Sequence, residues 1–273
     1  MCRESSTGKA ANPARARALG LNACKMAQYG YAAAQTRIAE GAGIHVRVVA
    51  INGSPRKDWN TATLLQHALD GAASAGAETR MVHLYDLAFA GCHSCFACKR
   101  KGNTCGGLCA IKDDLRPVLE DIIASDAVVV GSPIYFSDVS GETRSFLERL
   151  LFPNISYDDH EAPAPLPHPL RAAWVFTMNC PEEFGDRIGY VAMFRGLANL
   201  LRIIGPGPRV MGNVEAPGGP EILAAWDTYQ FSDYSKYETA WLPEEQKRKH
   251  REELFPQECR EAFEMGARLT TPV

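Results

Sequence analysis

The sequence predicts a doubly wound α/β fold, a five-stranded parallel sheet with helices on both faces. Two observations carry this. Short apolar runs rich in Val, Ile and Ala alternate with longer amphipathic runs of helical period, the pattern of repeated βαβ units. The first apolar run also opens into Asn52-Gly53-Ser54-Pro55-Arg56 and then directly into a helical run, a strand–loop–helix junction suited to holding an anion.

The elements follow in order. Val46 to Ile51 is the first strand, and Thr61 to Ala75 is amphipathic at helical spacing. Thr79 to Leu84 reads as the second strand, followed by a cysteine-rich excursion and a helix from Leu115 to Ser125. Ala127 to Gly131 is the third strand, ending in a turn at Gly131-Ser132-Pro133, and Gly141 to Leu151 the next helix. Pro163 to Pro169 is an extended linker before the fourth strand, Ala172 to Met178. A helix from Gly189 to Ile204 and a fifth strand from Arg209 to Val214 complete the sheet. From Ala216 a Gly/Pro break leads to an aromatic stretch (Trp226, Tyr229, Phe231, Tyr234, Tyr237, Trp241) and a charged helix from about Glu244 to Leu269.

Three parts are expected: residues 1–44, a core domain over 45–215, and an extension over 216–273 that clasps the core or a second subunit. The first part carries six basic residues against two acidic ones. A docking helix, a disordered basic arm and an upstream start of little consequence all fit that composition. At 273 residues with 46% hydrophobic content, the chain can bury a full core. A net charge of -3 argues against a general nucleic-acid binder. No apolar run reaches the roughly 20 residues that span a bilayer, and no signal-peptide core is present, so a cytoplasmic protein without a membrane partner is expected.

The loop after the first strand reads as a phosphate site. Ser54 and Thr61 supply hydroxyls, Arg56 a charged fork, and the helix start free backbone amides, although Asn60 or Thr61 would also serve as plain caps. There is no G-x-x-x-x-G-K-[ST] and no G-x-G-x-x-G, so a mononucleotide is favoured. In such sheets the ligand lies beyond the carboxyl ends of the first and third strands. The third strand's exit, Pro133-Ile134-Tyr135-Phe136, offers apolar and aromatic groups for a flat ring. Thr177-Met178-Asn179-Cys180-Pro181 is a weaker candidate for a third wall.

Five of the nine cysteines fall between Cys92 and Cys109. Cys92, Cys95 and Cys98 have the C-x-x-C-x-x-C spacing that wraps three thiolates around one corner of an iron-sulfur cluster, with Cys105 or Cys109 as the fourth ligand. Zinc held by Cys95, Cys98, Cys105 and Cys109 is a rival, although six residues between the pairs is short of the usual gap of roughly fifteen to twenty. Unligated thiols with one redox-reactive pair are another. Asp113 and Asp114 read as helix-start carboxylates, and Glu142, Arg144, Glu148 and Arg149 as surface charges.

Gly53-Ser54-Pro55-Arg56 with Asn60-Thr61, Gly131-Ser132-Pro133-Ile134-Tyr135-Phe136, and the cysteine run with Cys109-Ala110-Ile111-Lys112-Asp113-Asp114 together resemble the NADPH-dependent FMN reductase family. Within it the likeness is to the multimeric-flavodoxin and iron-sulfur flavoprotein branch, over roughly residues 45 to 270. The resemblance implies a flavodoxin-like sheet of order 2-1-3-4-5 that binds FMN. Ser54, Arg56, Asn60 and Thr61 would hold the phosphate, and Pro133, Ile134, Tyr135 and Phe136 would line the ring. It favours Cys109 as fourth ligand, with Cys92, Cys95 and Cys98, for a [4Fe-4S] cluster. It implies NAD(P)H as donor, a small-molecule acceptor, a ferredoxin-like partner where the cluster is present, and a homo-oligomer. A flavin-binding or zinc-stabilised sensor with little turnover is a further reading. No catalytic acid or base is expected, since the flavin would carry the chemistry.

Overall fold

The structure, a computed structural model, describes residues 45–271 except 104, 160, 161, 211 and 241–243. The expected N-terminal arm, Cys2, Cys24 and Trp241 lie outside the described residues. Six strands, β1 (Arg47–Asn52), β2 (Glu78–His83), β3 (Ala127–Tyr135), β4 (Asp138–Val139), β5 (Arg171–Thr177) and β6 (Glu221–Ala225), form the sheet. Its helices are α1 (Asn60–Ser74), α2 (Leu115–Ile123), α3 (Gly141–Leu151), α4 (Glu182–Arg187), α5 (Tyr190–Leu201), α6 (Glu244–Glu253) and α7 (Phe255–Arg268).

The strand order is β2-β1-β3-β5-β6, all parallel, with β4 an antiparallel hairpin partner of β3. Leaving out the two-residue β4, that is the order 2-1-3-4-5. Successive side chains of a strand point to opposite faces. Val48 and Ala50, Ala127 and Val129, and Ala173 and Val175 therefore pack under α1 and α7. Their neighbours Val49, Ile51, Val128, Val130, Trp174 and Phe176 pack under α2, α3 and α5. With both faces covered, the strands are continuous apolar runs, and burying each large side chain stabilises the fold by about 1.5–3 kcal/mol relative to exposure.

Three expectations need correction. The fifth parallel strand is Glu221–Ala225, paired with Ala173 to Thr177, and residues 209–214 form no strand among those described. Gly212 there takes a left-handed φ of 73°, and the Asn199 side chain of α5 donates to the Gly212 and Val214 carbonyls at 2.7 and 2.8 Å, satisfying groups a ladder would have used. The sheet thus runs past residue 215, so the boundary expected there falls inside the domain. Second, β3 does not turn at Gly131-Ser132-Pro133 but continues to Tyr135. Proline lacks an amide, but β1 has already ended at Asn52 opposite Gly131, so no ladder bond is lost on that side. The turn comes at Phe136 and Ser137, both left-handed (φ 50° and 63°). Third, the C-terminal charged helix is two helices, broken at Leu254 with Pro256 in the first turn of α7.

Among the described residues no helix is long and apolar enough to cross a membrane. The extension clasps the core. Gly71 of α1 and Gly266 of α7 let the two backbones meet: an added Cβ would stand 1.8 Å from the Phe263 carbonyl oxygen in one case and 1.8 Å from that of Ala68 in the other.

Candidate functional site

The register places the carboxyl ends of β1, β3, β5 and β6 side by side, so the loops leaving them share one corner of the molecule. After β1, Asn52 is the organiser. Its Oδ1 accepts from the Ser54 amide at 3.0 Å and its Nδ2 donates to His83 Nδ1 at 2.9 Å. Ser54 Oγ in turn accepts from the Arg56 amide at 3.1 Å. Gly53 is required by contact rather than by a left-handed turn, since a Cβ there would lie 1.8 Å from Thr143 Oγ1.

Helix α1 then begins at Asn60 behind Trp59, which supplies no side-chain cap, and its first turn has no acidic residue. Its leading amides and positive dipole end are therefore available to an anion. Ser54, Asn60 and Thr61 are buried around them, and Thr61 Oγ1 lies 2.7 Å from Thr177 Oγ1 of β5.

A cavity of about 190 Å³ opens here, and seven of the eight residues expected to bind a cofactor line it: Ser54, Arg56, Asn60, Thr61, Pro133, Ile134 and Tyr135. The eighth, Phe136, sits at the β3–β4 tip, 105% exposed and outside the lining. Burial raises the Tyr135 pKa above its ordinary 10.0, against an opposing effect of Arg56, and keeps the phenol neutral. Thr177, Met178 and Asn179 supply the wall expected after β5. Asn179 Oδ1 is buried without a hydrogen-bond partner, an acceptor that a ligand donor would satisfy.

Trp59 and the segment Thr228, Tyr229 and Gln230 also line the cavity, and the sequence reading did not foresee them. The segment is a strap bonded to the phosphate loop. The Tyr229 carbonyl accepts from Trp59 Nε1 and from Asn60 Nδ2, both at 2.9 Å, and the Gln230 carbonyl accepts from Arg56. The missed signal was β6: with the last strand placed at 209–214, its exit pointed nowhere near the pocket.

The cysteine loop is organised from α3. Arg149, expected on the surface, is 1% exposed. It donates to Cys109 Sγ (2.9 Å), to the Ala90 and Ile111 carbonyls, and to both carboxylate oxygens of Asp113 at 2.8 and 3.0 Å. Those bonds hold the Asp113 carboxyl below its ordinary 3.8. Glu148, exposed as expected, accepts from the Cys92 amide at 3.0 Å. Burial raises the Cys98 thiol; Lys99 opposes this, and the nearby Cys109 and Cys92 add to it.

Cys92, Cys98 and Cys109 thus lie in one neighbourhood, while Cys95 is exposed. Thiols suit an iron-sulfur cluster or zinc in kind. Among the described residues, however, no three Cys, His, Asp or Glu are gathered as a metal site. The thiols therefore do not fit a cluster as they stand.

The sequence model of the NADPH-dependent FMN reductase family matches residues 46–163. An iron-sulfur flavoprotein of Methanocaldococcus jannaschii is 35% identical over 104 residues, which is 38% of this chain and 51% of that protein. One of Archaeoglobus fulgidus is 36% identical over 104 residues, 38% of this chain and 48% of the relative. The chain spans about half the length of the curated relatives it matches. Among solved structures, an NAD(P)H:quinone oxidoreductase from Methanothermobacter marburgensis superposes with a TM-score of 0.56 at 15% identity, covering 82% of this chain and 99% of that one. An azoreductase from Bacillus anthracis gives 0.53 at 13% identity with the same coverage. These likenesses show the fold, a flavodoxin-like parallel α/β sheet.

Proposed function

Since residues 46–163 carry the sequence of the NADPH-dependent FMN reductase family, we propose that the chain is an FMN-dependent oxidoreductase that takes electrons from NAD(P)H and delivers them to a small-molecule acceptor. The observation that carries this reading is the cavity beyond β1 and β3, where an uncapped helix start, Arg56 and the buried Ser54, Asn60 and Thr61 meet the Pro133 to Tyr135 wall.

These residues fit the cofactor. A phosphate dianion finds a cationic fork, hydroxyls and the positive end of α1. Asn179 Oδ1, buried and unpaired, suits a ring N–H donor. When bound, FMN supplies hydride and single-electron acceptance at its ring. The chain's part is positional. Arg56 and the α1 amides hold the phosphate end, Pro133 and Ile134 exclude water from one side, and Tyr135, neutral and half-exposed at the mouth, borders the side open to donor and acceptor. No side chain needs to move a proton in this scheme.

The test is an anaerobic titration of the apoprotein with FMN, followed by NADH or NADPH. Tight FMN binding and prompt bleaching of its visible bands are expected. Bound flavin that neither nucleotide bleaches would overturn the donor assignment.

A second reading, an iron-sulfur flavoprotein that exchanges electrons with a ferredoxin-like partner, draws on the names of the two relatives and on the C-x-x-C-x-x-C spacing of Cys92, Cys95 and Cys98. Iron and acid-labile sulfide near four per chain after anaerobic purification, abolished by Cys95→Ser with FMN retained, is its expected signature. Flavin without iron would leave the first reading alone. Homo-oligomerisation belongs to the same proposal, and a monomer peak at every concentration would reject it.

A further inference from the structure

Helix α6 is dense in charge, EEQKRKHREE, and reads in sequence as a solvated helix. Its contacts say otherwise. Glu244, Lys247 and Arg251 are three and four residues apart and so share one face. Each touches a different wall of the cavity. Glu244 Oε1 accepts from the Tyr229 hydroxyl at 2.6 Å, a bond that pushes the Tyr229 pKa up to about 12. Lys247 donates to the Asn179 carbonyl and to the Asp227 carboxylate. Arg251 donates to Asn60 Oδ1 at 3.0 Å while its guanidinium lies over the Phe255 ring. Tyr229, Asn179 and Asn60 all line the cavity.

Lys247 is the least expected of the three. It is 2% exposed, and an ammonium so far from water persists only where its partners are fixed. One partner, Asp227, holds a left-handed φ of 52° that a non-glycine residue seldom adopts. Its amide donates to the Cys180 carbonyl, and the next residue, Thr228, donates to the Met178 carbonyl, so the turn into the strap is bonded to the end of β5 on one side and to α6 on the other. The phosphate loop, the β5 exit and the β6 exit have no common covalent anchor. One helix face joins them.

We propose that Glu244, Lys247 and Arg251 are positioning residues of a latch, through which docking of α6 sets the three walls of the pocket and is coupled to cofactor binding. This rests on the FMN reading above. Thermodynamic linkage then makes the effect mutual: a docked α6 tightens FMN binding, and FMN holds α6 down by the same factor.

The experiment measures the FMN dissociation constant and the hydrogen exchange of α6 amides, with and without FMN, in the full chain. Its variants are Arg251→Met, Arg251→Lys, Lys247→Met and, on a solvent-exposed position of the same helix, Lys249→Met. Arg251 is largely exposed, so its Met variant keeps the stem packed on Phe255 and the fold intact even if Lys247→Met does not fold. Arg251→Met is expected to weaken FMN binding by at least about fivefold, the low end of typical coupling. Arg251→Lys should regain part of that, Lys249→Met should change nothing, and FMN should slow α6 exchange in the parent by a similar factor. Variants that bind FMN like the parent, together with α6 exchange indifferent to FMN, would overturn the latch and leave the FMN reading standing. A parent that binds no FMN would overturn both.

Discussion

Arg56 holds the Gln230 carbonyl with one nitrogen and lies 5.5 Å from the Trp59 ring centroid. A guanidinium has five N–H donors, so the rest can meet a phosphate without breaking the strap. Losing a charge-assisted hydrogen bond costs about 1.5–3 kcal/mol. Arg56→Ala is therefore expected to raise the FMN dissociation constant about 10- to 100-fold by fluorescence titration, with little change in urea stability. Arg149 predicts the reverse. Arg149→Met strands the Asp113 carboxylate and two carbonyls, and breaking a buried pair costs about 3–5 kcal/mol. Because Asp113 is 17% exposed, the low end is expected, read as a fall in the urea midpoint. The sequence disclosed the first arginine and hid the second. Arg56 sits in a loop whose composition announces its chemistry. Arg149 lies on a helix beside Glu148 and Arg144, where the one-dimensional pattern of a buried ion pair is that of a solvated face.

At the scale of elements, the cysteine loop is held from outside itself. Arg149 fastens it at Ala90, Cys109, Ile111 and Asp113, Asn154 Nδ2 donates to the Gly107 carbonyl at 3.1 Å, and Lys99 donates to the Phe152 and Ile155 carbonyls. The Asp113 anchor depends on pH in one direction. A carboxyl whose pKa is depressed in the folded state contributes stability above its unfolded value, and that contribution is lost as pH falls through the folded one. The anchor is thus intact at neutral pH and lost below the ordinary 3.8, so amide exchange around Ile111 should accelerate there before the sheet opens. Asp113→Asn should remove this pH dependence. Elements bound by strong period were legible: α3 falls on its expected residues, and β1, β2 and β5 within one. The last strand was not, because EILAA is five residues long with one β-branched side chain, whereas RVMGNV carries two valines, so local strand preference favoured the wrong segment.

At the scale of the whole molecule, the pocket is assembled from both ends of the described chain, and the contact that binds those ends is α1 against α7. Gly71→Ala or Gly266→Ala would drive a methyl into a facing backbone carbonyl, a cost of roughly 1–3 kcal/mol or more. Both should lower the urea midpoint, whereas Gly141→Ala, which meets open space, should not. Sheet class and the first two walls could be read from local pattern, since each wall lies within a few residues of its own strand. The strap and the Arg251 contact of α6 could not, because their partners are 169 to 191 residues apart and nothing local marks them. The strap has a further consequence, in time rather than space. Residues 228–230 and the helix that braces them leave the ribosome after every other wall of the cavity, and at about 5–20 residues per second the interval lasts seconds. During it the nascent chain displays a phosphate loop with no far side. On the FMN reading, cofactor capture would wait for the strap, and a product of premature termination ahead of it is expected to remain colourless.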